Sequence, residues 1–137
     1  MAIRIRDLVT KEKAMRQGHR MCPGCGAPTA VQQALLAVEQ PVVITAATGC
    51  LEVSTTIYPF NAWGVPFLHS AFENAGASVS GIEAAYVALK KKGKVTKDIK
   101  FVAFGGDGGT YDIGLQALSG AAERGHDFTY ICYNNQG

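Results

Sequence analysis

Positive charge is missing from the middle of this sequence. No lysine or arginine occurs between Met21 and Leu89, although the chain of 137 residues contains 13 of them and has a net charge of +2. Solvated protein surfaces normally carry charges of both signs. We therefore expect this segment to be covered by protein, either its own core or a partner, although compositional chance would give the same pattern. Because so short a chain buries only part of its surface, we favour a subunit of a larger assembly.

Long apolar runs are also absent. No stretch approaches the roughly 20 apolar residues that a membrane span requires, and the N-terminus has no apolar core of the kind found in secretion signals. We therefore expect a cytoplasmic protein without membrane association. Residues 1–20 contain six basic residues and predict a basic arm. Since it lacks interleaved aromatic residues, it does not favour nucleic acid, and docking to an acidic partner would explain its charge equally well.

Apolar runs, glycines and prolines predict an α/β domain over residues 21–137, with a parallel sheet flanked by helices. Near-continuous apolar strands alternating with helices are typical of such a sheet. The predicted strands are 42–46, 99–104 and 128–133, and the predicted helices are 28–39, 75–92 and 113–124. Residues 48–72 are predicted to be a loop.

A carboxylate lies among glycines where a predicted strand gives way to a helix. Asp107 is surrounded by Gly106, Gly108 and Gly109, and glycine lets backbone N–H groups approach an anion closely. The carboxyl edge of a parallel sheet is where α/β proteins place ligands, and the positive end of the following helix favours a phosphate. Because Asp107 alone would repel a phosphate, we expect a divalent cation between them. Magnesium prefers such hard oxygen ligands.

A second polar group follows the next predicted strand. One helix and one strand separate Asp107 from Asn135, and a right-handed crossover would bring both to the same sheet edge. The amide oxygen of Asn135 and the carbonyl of Gly137 could complete the protein ligands of the metal. For the glycine motif alone, a turn with a helix-capping aspartate is the alternative. Neither a dinucleotide fingerprint, which needs glycine at Tyr111, nor a P-loop is present.

The cysteines include only one Cys-x-x-Cys pair. Cys22 and Cys25 by themselves indicate zinc, but a zinc ribbon needs a second pair, and Cys50 and Cys132 are solitary. A disulfide is not expected in a reducing compartment. Because Cys132 lies inside an apolar predicted strand, we expect it to be buried and inert.

Together these motifs resemble the thiamine-diphosphate-binding N-terminal portion of the β subunit of 2-oxoacid:ferredoxin oxidoreductases. Gly-Asp-Gly at 106–108, followed by the Asn-Asn pair at 134–135, is similar to the thiamine diphosphate signature. The arrangement of Cys22, Cys25 and Cys50 resembles three ligands of a [4Fe-4S] cluster. The sequences Tyr-Pro-Phe-Asn-Ala-Trp at 58–63 and Phe-Glu-Asn-Ala at 72–75 extend the resemblance over most of residues 21–137.

The resemblance implies a set of site residues. It assigns magnesium to Asp107, Asn135 and Gly137, and the cluster to Cys22, Cys25 and Cys50. The residues expected to bind thiamine diphosphate are Gly49, Cys50, Gly106, Asp107, Gly108, Gly109 and Asn135. The fourth cluster ligand would lie outside this chain, which ends at Gly137 within the metal-binding turn, so we expect the N-terminal portion of a longer subunit.

The resemblance also implies an activity. The family oxidatively decarboxylates a 2-oxoacid, most often pyruvate, with oxalate and other 2-oxoacids as alternatives. Electrons pass through iron–sulfur clusters to ferredoxin, commonly with acyl transfer to coenzyme A, so activity is expected only with the other subunits. A glutamate that contacts the cofactor's aminopyrimidine is expected from another domain or subunit, since Glu52, Glu73 and Glu83 are candidates by residue type only. His69 and His126 are expected to be structural or solvated.

Two other functions remain open from the residues. A thiamine-dependent decarboxylase or synthase without redox function would share Asp107 and Asn135 but would leave Cys22, Cys25 and Cys50 unexplained. A zinc-stabilised binding module would explain Cys22 and Cys25 but would make the spacing from Asp107 to Asn135 a coincidence.

Overall fold

A four-stranded parallel sheet organises this protein, for which a computed structural model describes residues 4–136. Its strand order is β2-β1-β3-β4, and each neighbouring pair runs parallel. The strands are β1 (Val42–Ala46), β2 (Phe67–His69), β3 (Lys100–Gly106) and β4 (Thr129–Tyr133). The predicted α/β fold with a parallel sheet flanked by helices is confirmed.

Six helices connect or precede these strands in the described residues. They are α1 (Ile5–Val9), α2 (Gly26–Leu36), α3 (Cys50–Thr55), α4 (Ala75–Lys91), α5 (Gly108–Tyr111) and α6 (Leu115–Glu123). The helix predicted over 75–92 is α4, which ends at the predicted place because Gly93 adopts a φ of +67°. The prediction of a loop over 48–72 was wrong, since α3 and β2 lie within it. Both are too short for a periodic apolar pattern to reveal them.

The sheet has a separate apolar cluster on each face. On one face, Val31 and Leu35 of α2 pack with Leu51 of α3 and with Phe104 of β3. On the other face, Val79 of α4 packs with two further residues of β3, Phe101 and Ala103. Helices therefore cover both sides of the central strands, as near-continuous apolar strands require.

Part of the predicted basic arm packs against the first cluster. Met15 is buried there and forms an antiparallel bridge with Trp63. The indole N–H of Trp63 donates to the hydroxyl of Thr55 at 2.9 Å, and its ring stacks on Phe67 with centroids 5.1 Å apart. These contacts attach the chain before α2 to the end of α3 and to β2.

Cys132 is exposed rather than buried, so this prediction was wrong. It lies on β4, at the edge of the sheet in the described residues, directly opposite Gly105 of β3. Since Gly105 has no side chain, it cannot cover the neighbouring thiol. The apolar composition of the strand did not reveal its position at the edge.

No helix among residues 4–136 combines the length and the apolar character needed to cross a membrane.

A pair of glycines in α4 provides a matched test of the packing between α4 and α6. A Cβ on Gly76 would lie 3.1 Å from backbone atoms of Leu118 in α6, whereas a Cβ on Gly81 would meet nothing within 4 Å. We expect Gly76→Ala to destabilise the protein by about 1–3 kcal/mol through overpacking. Gly81→Ala should stabilise it by about 0.5–1 kcal/mol, because alanine favours the helix. Denaturant unfolding of the purified subunit measures both changes, and equal effects at the two positions would contradict the close contact of α4 and α6.

Candidate cofactor site

Parallel pairing brings the ends of three strands to one edge of the sheet. In the register of the sheet, Ala46 pairs with Phe104, and Gly106 pairs with Tyr133. Asp107 follows Gly106 directly, and Asn135 lies two residues after Tyr133. The predicted convergence of Asp107 and Asn135 at the carboxyl edge of the sheet therefore matches the topology.

A cavity of about 330 Å³ lies at this edge. It lies between the turn after β1, the glycine turn after β3 and the chain after β4. Six of the seven residues expected to bind thiamine diphosphate line it: Gly49, Cys50, Gly106, Gly108, Gly109 and Asn135. Phe72 and Ile113 add an apolar part to its wall.

Asp107 has an unsatisfied carboxylate oxygen. Its Oδ1 atom is buried and has no hydrogen-bond partner among the described residues. The side chain does not cap α5, although the backbone carbonyl of Asp107 accepts hydrogen bonds from Thr110 and Tyr111. The alternative of a helix-capping aspartate therefore does not describe this residue. A buried carboxylate oxygen without a partner carries a desolvation cost that a bound cation would remove.

Gly108 and Gly109 allow different kinds of close approach. A Cβ on Gly108 would meet nothing within 4 Å, so this backbone lies open beside the cavity. A Cβ on Gly109 would lie 2.9 Å from the Cβ of Ala47 and 3.1 Å from the carbonyl oxygen of Phe72, so glycine is required there by packing. The helix predicted to begin at 113 is preceded by α5, which starts at Gly108 itself.

Asn135 contacts Cys50 across the cavity edge. Its Nδ2 donates to the Sγ atom of Cys50 at 3.5 Å, which joins the chain after β4 to the first residue of α3. The neighbouring Asn134 points its Oδ1 to the backbone N–H of Gln136 at 3.1 Å. Gly137, the expected source of a carbonyl ligand, lies outside the described residues.

The three cysteines expected to bind a cluster lie on neighbouring segments. All are free, with Cys22 and Cys50 exposed and Cys25 half-buried. The backbone N–H of Arg20, just before Cys22, donates to the carbonyl of Ser54 in α3 at 2.8 Å. Among the described residues, no group of three or more His, Cys, Asp or Glu side chains is arranged to hold a metal ion. The structure therefore does not gather these thiols around a single ion.

His69 supports the turn between β1 and α3, which agrees with the expectation that it is structural or solvated, although the sequence did not reveal its partners. Its Nδ1 lies 2.9 Å from the carbonyl oxygen of Ala46, which can only accept, so Nδ1 carries the proton. In the neutral ring, Nε2 then accepts from the hydroxyl of Thr48 at 3.1 Å. The buried carboxylate of Glu52 lies 3.9 Å from the same nitrogen. His126 instead contacts Glu83 of α4 at 2.7 Å, at the end of the sheet opposite to the cavity.

Comparison with known proteins identifies relatives of the chain. Residues 47–137 match the family described as thiamine pyrophosphate enzyme, C-terminal TPP binding domain. The chain is 59% identical over 133 residues to the pyruvate synthase subunit PorB of Thermotoga maritima, covering 93% of this chain and 41% of the relative. It is 56% identical over 128 residues to PorB of Methanocaldococcus jannaschii, covering 92% of this chain and 43% of that protein.

A relative with a different named substrate also matches. The ketoisovalerate oxidoreductase subunit VorB of Pyrococcus furiosus is 41% identical over 134 residues, which cover 98% of this chain and 43% of VorB. The chain thus spans about two fifths of the length of these curated relatives.

Tyr133 lines the cavity, and the raised pKa of its phenol provides a test of how deeply this side chain is buried. Burial raises the pKa of its phenol to about 12. The neutral phenol therefore stabilises the fold fully below pH ~10, and this stabilisation is lost as the pH rises towards 12. Between about pH 10 and pH 12, Tyr133→Phe should lose less unfolding free energy than the unaltered protein. Tyr58→Phe, at a position 93% exposed, is the control and should follow the unaltered protein. An identical pH dependence for Tyr133→Phe would contradict the raised pKa.

Proposed function

Because the chain belongs to the thiamine pyrophosphate enzymes through their C-terminal TPP-binding domain, we propose that its cavity binds the diphosphate of thiamine diphosphate through magnesium. The main support for this proposal is the buried, unpartnered Oδ1 of Asp107, whose neighbours Gly106 and Gly108 line the same cavity as Asn135. A cation would satisfy the Asp107 carboxylate and neutralise the phosphates. Asp107, Asn135 and the carbonyl of Gly137 are the proposed magnesium ligands.

The residues of the chain then have distinct tasks at this site. The open backbone at Gly108 lets a phosphate approach, while Gly109 keeps the turn close to Ala47. Gly49 begins the opposite wall, where a Cβ would lie 2.5 Å from the phenol oxygen of Tyr133. Bound thiamine diphosphate supplies the nucleophile and the electron sink for decarboxylation of a 2-oxoacid. The chain's own contribution is to bind and orient the diphosphate end.

The whole protein is proposed to be a subunit of a 2-oxoacid:ferredoxin oxidoreductase. The names of the PorB and VorB relatives support a 2-oxoacid as substrate, and the PorB matches favour pyruvate. Oxalate and other 2-oxoacids are the alternatives, since none of the motifs selects the substrate side chain. Ferredoxin is the proposed electron acceptor, with coenzyme A as the proposed acyl acceptor.

A [4Fe-4S] cluster is proposed to use Cys22, Cys25 and Cys50, with a fourth thiolate from outside this chain. Three free thiols on adjacent segments are the donor chemistry that such clusters take. A cluster would take one thiolate on each iron. The sulfur atoms of its ligands would therefore lie farther apart than side chains that bind a single metal ion. The cluster would supply one-electron transfer close to the diphosphate site.

Other subunits are proposed to cover the apolar side chains that this chain leaves exposed. Tyr58 is 93% exposed, Phe60 68% and Phe72 60%, and all three lie in the segment without lysine or arginine. Large exposed aromatic residues in a segment without lysine or arginine support a protein interface. We therefore expect activity only from the assembled complex.

Two neighbouring carboxylates allow a matched test of the magnesium site. Asp107→Asn should weaken binding of thiamine diphosphate roughly tenfold or more, because this metal ligand loses its negative charge. Asp112→Asn removes an exposed carboxylate five residues along the chain and should leave the affinity unchanged. Calorimetric titration of the full-length complex at fixed magnesium measures both. Equal affinities for the two variants would sink the proposed role of Asp107.

The redox function is tested by metal analysis of the complete complex, purified without oxygen. We expect iron and sulfide, a broad absorbance band, and reduction of ferredoxin that depends on a 2-oxoacid. Zinc in place of iron would contradict the oxidoreductase and favour a zinc-stabilised module. Bound thiamine diphosphate with neither metal would instead favour a thiamine enzyme without redox function.

A further inference from the structure

We propose that Asn135 is shared between the two cofactors, with its amide oxygen on the magnesium and its amide N–H on the sulfur of Cys50. This inference rests on the proposed function and adds a positioning role for one side chain. The Nδ2 atom of Asn135 lies 3.5 Å from the Cys50 Sγ, within the range of a hydrogen bond to sulfur. The contact links segments that are 85 residues apart.

The two ends of an amide have opposite hydrogen-bonding roles, which makes the sharing possible. An asparagine has a carbonyl oxygen, which suits a metal ion, and an NH2 group, which can only donate. With Nδ2 directed at the sulfur of Cys50, Oδ1 remains free for the cavity that both residues line. A metal on the oxygen would therefore fix the orientation in which the N–H donates to Cys50.

Asn134 shows why only the second asparagine of the pair can have this role. Its Oδ1 accepts the backbone N–H of Gln136, which holds its side chain within the turn after β4. Asn134 does not line the cavity, whereas Asn135 does. The two adjacent amides thus have different tasks, with Asn134 shaping the turn and Asn135 reaching Cys50.

The expected consequence concerns the redox chemistry of the cluster. A hydrogen bond to a cluster thiolate stabilises the more negative, reduced state and so raises the reduction potential. The same side chain would then hold the diphosphate of the electron-releasing cofactor and favour electron uptake by the cluster next to it. Loss of the N–H donor should make the cluster harder to reduce.

The test compares Asn135→Asp with Asn134→Asp in the full-length complex prepared without oxygen. Asn135→Asp keeps an oxygen ligand for magnesium but has no N–H donor, while Asn134→Asp introduces the same charge one residue away. Redox titration followed by EPR should give a more negative midpoint potential for Asn135→Asp than for Asn134→Asp. Equal potentials, with iron and thiamine diphosphate bound in both variants, would overturn the inference and leave the proposed function intact.

A second measurement uses the unaltered complex and therefore does not depend on cofactor binding by a variant. In the unaltered complex with 15N-labelled asparagine, pulsed EPR of the reduced cluster should detect coupling to a side-chain 15N nucleus. A cluster without this coupling would refute the shared amide even if Asn135→Asp fails to bind magnesium. A complex that lacks iron would instead overturn the proposed function, and the inference with it, so the two failures are distinguishable.

Discussion

The parallel pairing of β3 with β4 is the constraint on which the candidate site depends. Its register places Gly106 opposite Tyr133, so the chain leaves both strands at the same level of the sheet. Asp107 and Asn135 therefore emerge together although they are distant in sequence. The crossover through α5 and α6 fixes this arrangement. Helix α4 packs against one face of β3 through its buried residue Val79.

The site also contains groups that are costly in the absence of a ligand. A buried carboxylate oxygen without a partner lowers the stability of the folded protein, and an open glycine backbone adds no packing that would offset this cost. Such local conflicts are expected where function rather than stability selects the residue. The hydrogen bonds of His69 with Ala46 and Thr48 hold the opposite wall of the cavity.

The sequence predicted those parts of the fold that depend on local signals. Strand β1 was predicted at its observed bounds because Pro41 and a near-continuous apolar run define it, and α4 was predicted to within one residue because Gly93 ends it. The convergence of Asp107 and Asn135 followed from the handedness of crossovers. The exposure of Cys132, the hydrogen-bond partners of His69 and the contact between Asn135 and Cys50 could not be predicted, since each depends on which strands and loops become neighbours in three dimensions.

We propose that magnesium bound by Asp107 and Asn135 anchors a diphosphate at this sheet edge. A crystal structure of the full-length complex with thiamine diphosphate and Mn²⁺ in place of magnesium tests this directly, because manganese can be located by its anomalous scattering. We expect an anomalous peak in contact with the carboxylate of Asp107 and the amide oxygen of Asn135, with the diphosphate on its other side. A diphosphate bound elsewhere, or a manganese peak that touches neither residue, would contradict it.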